Sequence, residues 1–154
     1  MTEAFVFKLM DRAQASILKY LEDVPEEARK TIPEGFNNNL HWQLGHILAI
    51  SDRVVNTFSG RELVFPETYA VYFAARTKPA EWQGEPPAWD ELIGELEQLP
   101  ARFREAYADK LDEPLANLDN FAKAETLGDL LTLNVAHMNQ HMGIINALTR
   151  ITRR

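Results

Sequence analysis

The sequence predicts an all-α fold, a four-helix bundle with a long crossover connection between the second and third helices. Three observations carry this. Four stretches repeat their apolar residues every three to four positions, the spacing of a helix with one buried face. Connections rich in proline and glycine separate them. No stretch alternates apolar and polar residues as a half-buried strand does.

The first helix runs from about Thr2 to Leu21, with Val6, Leu9, Met10, Ala13, Ile17, Tyr20 and Leu21 as its stripe and Thr2 as its cap. Pro25, Pro33 and Gly35 mark the connection that follows. Asn37, Asn38 and Asn39 offer caps for a second helix reaching about Phe58, and Gly60 suits the position just past its end. Its stripe is Leu40, Leu44, Ile47, Leu48, Val54, Val55 and Phe58, with His46 beside it. Residues 61–87 hold four prolines among Phe65, Tyr69, Tyr72, Phe73 and Trp82. A crossover so aromatic is expected to pack down, with a short helix near Tyr69 to Ala75 and one wall of a pocket as its role; a packed loop without chemistry is the other reading. The third helix starts near Trp89 and runs towards Ala108, and Pro100 is expected to kink or interrupt it near Glu97. After a second connection, Thr126 caps the last helix, with Asp129 completing a capping box.

The chain has 154 residues, 45% of them hydrophobic, which fits one domain spanning 1–154 and a substantial core. No apolar run reaches the roughly 20 residues that span a bilayer. The opening MTEAFVFKLMD lacks the basic start of a signal peptide, so a cytoplasmic protein is expected. The net charge is −7, and no basic face suits nucleic acid. Arg150, Arg153 and Arg154 sit where a helix C-terminus favours cations. With no cysteine, thiolate metal sites and cysteine nucleophiles are excluded, and any metal must use His, Asp, Glu or water.

The last helix carries His137 and His141 four residues apart, on one face, among Leu130, Leu131, Asn134, Met138, Ile144, Ile145 and Leu148. The imidazoles therefore point at the core and need partners. A histidine from the second helix can meet them, since bundle sites are built from facing helices. Three neutral imidazoles would leave a metal an open position for water or substrate. An H-x-x-x-H taken alone is more often a pair of core or surface histidines. Position 138 is Met, so the glutamate of the H-E-x-x-H metalloprotease motif is absent. His41 reads as a partly exposed residue near a helix start, with a ligand role as the minority reading.

Asn38-Asn39-Leu40-His41-Trp42-Gln43-Leu44-Gly45-His46-Ile47, followed about 90 residues later by His137-Met138-Asn139-Gln140-His141-Met142-Gly143, resembles the DinB/YfiT-like superfamily. The resemblance covers nearly the whole chain and combines W-x-L-G-H with H-x-x-x-H-x-G. It implies a bundle, commonly dimeric, that binds a divalent metal, nickel or zinc, through His46, His137 and His141. It implies a small-molecule substrate, with a low-molecular-weight thiol as cosubstrate in thiol-dependent S-transfer, or else hydrolysis. A non-enzymatic, stress-related dimeric bundle with a structural or vestigial metal site is the alternative. Many members carry Gln after the final glycine, where this chain has Ile144.

Gly45 and Gly143 lie inside predicted helices, where glycine costs roughly 1 kcal/mol against alanine. Close backbone approach beside the ligands would explain both; so would ordinary tight packing. Asn134 and Gln140 are candidates to orient ligands, and Arg53 and Tyr69 to touch substrate. No residue stands out as a general base.

Overall fold

The computed structural model describes residues 1–153 and is all-helical, with no strand among them. Four long helices form the bundle: α1 (Glu3–Leu21), α3 (Leu40–Phe58), α5 (Trp89–Tyr107) and α6 (Leu127–Thr152). Two short helices sit between them, α2 (Glu26–Lys30) and α4 (Glu67–Phe73), with a single 3-10 turn at Pro79–Glu81. α6 packs on α1 and α3, α5 on α1 and α3, and α4 on α3. Gln43 meets His141 while His46 meets His137, so α3 and α6 run antiparallel. No helix is long and apolar enough to cross a membrane.

The helix ends follow the local chemistry in most places. The Asn39 side chain accepts from Trp42 N at 2.8 Å and caps α3. At the other end Gly60, with φ +74°, lets Gly60 N reach Thr57 O and Arg61 N reach Asn56 O, the paired bonds of a Schellman motif. Thr126 and Asp129 form the full capping box of α6, and the backbone N–H groups of Glu125 and Thr126 lower the Asp129 pKa. Thr2 occupies the cap position of α1, but its side chain makes no capping bond; its carbonyl accepts from Phe5 and Val6 instead.

The core fills the space between the four long helices. Met10 and Ile17, Leu44 and Leu48, Leu92 and Leu96, Met138 and Ile145 are all fully buried. Each such side chain contributes roughly 2 kcal/mol by leaving water. Of the kink or interruption expected at Pro100, the interruption does not occur: α5 runs unbroken through it. It removes the N–H that would bond Leu96 O. Gln14 Nε2, from α1, donates to Leu96 O at 3.2 Å and to Glu97 O at 2.8 Å. A residue from another helix supplies the missing donor, and the helix continues. The crossover helix spans Glu67–Phe73 rather than Tyr69 to Ala75, and α2 forms inside what reads as a connection.

Candidate metal centre

α3 and α6 bring His46, His137 and His141 together, with one ring nitrogen of each within 4.8 Å of the others. His46 and His141 are buried and His137 half-buried. The ring centroids stand 5.1 Å (His46–His137), 4.6 Å (His46–His141) and 4.4 Å (His137–His141) apart.

Hydrogen bonds fix how two of the rings face. His46 Nδ1 lies 2.7 Å from Phe73 O, and His141 Nδ1 lies 2.6 Å from Gln43 Oε1. Each oxygen can only accept, so each Nδ1 carries the proton. The lone pair of each ring is then on Nε2, turned to the middle of the cluster. Such a held Nδ1–H is how proteins orient metal-binding imidazoles. Trp42 stacks on His46 at 4.3 Å and 14°, and its own Nε1 donates to Thr77 Oγ1 at 2.8 Å. Burial pushes all three histidines below their ordinary pKa, His137 to about 4 and His141 to about 3, with the neighbouring imidazoles adding to the last two. At neutral pH the three rings are uncharged, the form in which imidazole binds a metal.

The donor set fits a divalent cation. Nitrogen ligands bind zinc at about 2.0–2.1 Å, which sets tetrahedral neighbours about 3.3 Å apart. His46 Nε2 and His137 Nε2 are 3.3 Å apart. One polar atom of the cluster is left over: His137 Nδ1 is buried with no partner. Three residues earlier on α6, Asn134 Oδ1 is also buried without a partner, while its Nδ2 faces Met138 Sδ at 3.7 Å. A lone donor site and a lone acceptor thus lie on adjacent turns of one helix.

The remaining expectations divide. His41 is not partly exposed: it is 8% exposed, and its Nε2 bonds Pro87 O at 2.8 Å amid Phe73, Trp82 and Trp89. It fastens the crossover and stands apart from the three-histidine group. Tyr69 is buried and its hydroxyl donates to Glu91 Oε1 at 2.8 Å, so that group is not free for substrate. Gly45 permits a close approach, but of a ring rather than a helix backbone. A Cβ there would stand 2.5 Å from the Phe73 ring. Gly143 is exposed, with nothing near its missing Cβ, so neither close approach nor tight packing accounts for it. Ile144, where many relatives of the resembling family have Gln, packs against the main core. Gln140 is exposed.

Sequence reasoning missed the two acceptors. The Phe73 carbonyl is backbone and leaves no trace in the residue type. Gln43 left one: it lies three residues before His46 on the same helix, a polar residue at an interior level.

No curated protein matches the chain. The family model described as the DinB superfamily matches residues 9–145, which takes in all three histidines, the whole of α3 and α5 and most of α1 and α6, and the chain belongs to that superfamily.

Proposed function

We propose that the chain is a metal-dependent enzyme that holds nickel or zinc through His46, His137 and His141 and transfers a small-molecule thiol to an electrophile, with hydrolysis as the nearest alternative chemistry. The observation that carries this is the inward pair of Nε2 lone pairs, fixed by Phe73 O and Gln43 Oε1, at one coordination edge from the third ring. When bound, the cation would act as a Lewis acid and lower the pKa of a thiol or water at its open position.

The chain's own residues do the rest of the work in this reading. Burial keeps the imidazoles neutral, so loading releases no proton from them. Trp42 and the surrounding core shut water away from one side of His46, which strengthens electrostatic interactions there. Half-buried His137 marks the side on which the cluster reaches solvent. The same reading carries a homodimer, which sedimentation velocity tests.

A second reading, a non-enzymatic bundle whose histidines only hold structure, draws on the depth of His46 and His141, 5% and 7% exposed. One experiment separates the two. Bound metal is measured in purified protein, and His137→Ala is compared with the parent for melting temperature and for thiol transfer to an electrophilic dye. Stoichiometric metal, retained folding and lost turnover support the enzyme. Lost folding, with no turnover in the parent, supports the structural bundle.

A further inference from the structure

Each of the three neutral imidazoles carries one proton. Those of His46 and His141 sit on Nδ1, held by Phe73 O and Gln43 Oε1. The proton of His137 has two nitrogens to choose between, and the structure distinguishes them. His137 Nε2 lies 3.3 Å from His46 Nε2, within hydrogen-bond distance, and His46 Nε2 bears a lone pair. A proton on His137 Nε2 makes that contact a hydrogen bond. A proton on Nδ1 instead sets two lone pairs against each other. The metal-free protein therefore keeps the His137 proton on Nε2, inside the cluster.

A cation needs that nitrogen bare. The proton must leave Nε2 for solvent, and Nδ1 takes one up from solvent, so the ring stays neutral. His137 Nδ1 is buried without a partner, and a proton there needs an acceptor. Four buried side-chain polar atoms lack a partner among the described residues, and the other one on α6 is Asn134 Oδ1. Asn134 lies three residues before His137, which sets their Cβ atoms about 5–6 Å apart. Side chains on a helix lean towards its N-terminus, so the His137 ring leans over the turn that holds Asn134. Nδ1 is the ring nitrogen nearer the backbone, while Nε2 reaches across to α3. The amide is also free to turn: its Nδ2 bonds only a thioether, Met138 Sδ at 3.7 Å, which is a weak acceptor.

We propose that metal loading moves the His137 proton from Nε2 to Nδ1, and that Asn134 Oδ1 accepts it there. Asn134 is then the positioning residue of the third ring, as Gln43 and the Phe73 carbonyl are of the other two. In the metal-free protein the proton between His137 and His46 holds the two nitrogens at the separation a cation requires. The inference rests on the metal reading for the loaded state; the metal-free tautomer stands without it.

The test is nitrogen NMR on the full chain labelled with 15N at histidine, metal-free and with zinc, which is diamagnetic. Long-range proton–nitrogen couplings show which nitrogen of each ring is protonated, and His137→Ala identifies the signals of that ring. Metal-free protein is expected to show Nδ1–H at His46 and His141 and Nε2–H at His137; zinc-loaded protein shows Nδ1–H at all three. Asn134→Leu is expected to weaken zinc about tenfold in a competition titration while the metal-free melting temperature holds. Asn134→Asp keeps the acceptor and restores the affinity. A merely structural Asn134 would do the opposite, moving the melting temperature and leaving the zinc constant alone. Nδ1–H at His137 without metal, or equal zinc affinity in Asn134→Leu, overturns the proposal. If zinc binds through His46 and His141 while His137 keeps Nε2–H, the proton shift falls and the metal reading stands. If zinc leaves all three rings unchanged, the metal reading falls and the shift with it.

Discussion

Two buried polar clusters share α3, and they are finished to different degrees. In the first, Asp52 accepts from Val64 N, Phe65 N and Asn56 Nδ2, and Asn56 Oδ1 accepts from Tyr107. Each of the three side chains has its partners, and Arg61 lies over the Tyr107 ring at 4.6 Å. In the second, one to two turns away, two of three imidazoles are tied to acceptors while His137 Nδ1 has none. A buried polar group without a partner costs about 1–3 kcal/mol. A satisfied network is a fastener: it joins the crossover to α3 and α3 to α5. An unfinished one, whose free lone pairs converge, is built for a guest.

That contrast predicts opposite responses to substitution. Asp52→Ala strips three donors of their acceptor at a buried site. It is expected to lower stability by about 3 kcal/mol, roughly 6–12 °C in melting temperature, with nickel affinity unchanged. A parallel fall in nickel affinity would break the distinction between fastener and site. His141→Ala is expected to do the reverse, reducing nickel affinity more than about 100-fold in a calorimetric titration while the metal-free protein still folds cooperatively. Gln43→Leu leaves all three imidazoles but frees the His141 ring. It should cost about tenfold in nickel affinity, and an unchanged constant would show that Gln43 does not set the ring's orientation.

The smallest effect concerns pH in the metal-free protein. The folded pKa values of His137 and His141 lie below the unfolded value, at about 4 and about 3. Above the unfolded value neither state binds the proton. As pH falls below it, the unfolded chain takes up protons that the folded chain refuses, so stability declines with falling pH. Between pH 7 and 6 the loss is about 0.7 kcal/mol per imidazole, read from urea midpoints. Saturating nickel should raise the midpoint by about the same amount at pH 6 and pH 7, because the folded imidazoles are already uncharged across that range.

Much of the fold was legible because it rests on local chemistry. Asn39, Gly60 and the Thr126–Asp129 pair mark helix ends through groups a few residues away. The inward face of His137 and His141 follows from helical spacing alone. What could not be read depends on partners far along the chain. Pro100 is carried by Gln14, whose amide reaches Leu96 O and Glu97 O, 82 and 83 residues further along the chain. His41 is buried by rings from the crossover and by Pro87 O, 46 residues on. The Tyr69 hydroxyl is used up by Glu91 of α5. In each case local propensity was overruled by a tertiary contact that residue type does not announce.

Phe73 touches α3 twice: its ring lies over the bare backbone of Gly45, and its carbonyl grips the next residue, His46. The crossover and the imidazole are therefore mechanically geared. A push on α4, whether from a molecule entering beside Ala70 or from a neighbouring protein surface, is transmitted to the tilt of His46 without passing through the rest of the bundle.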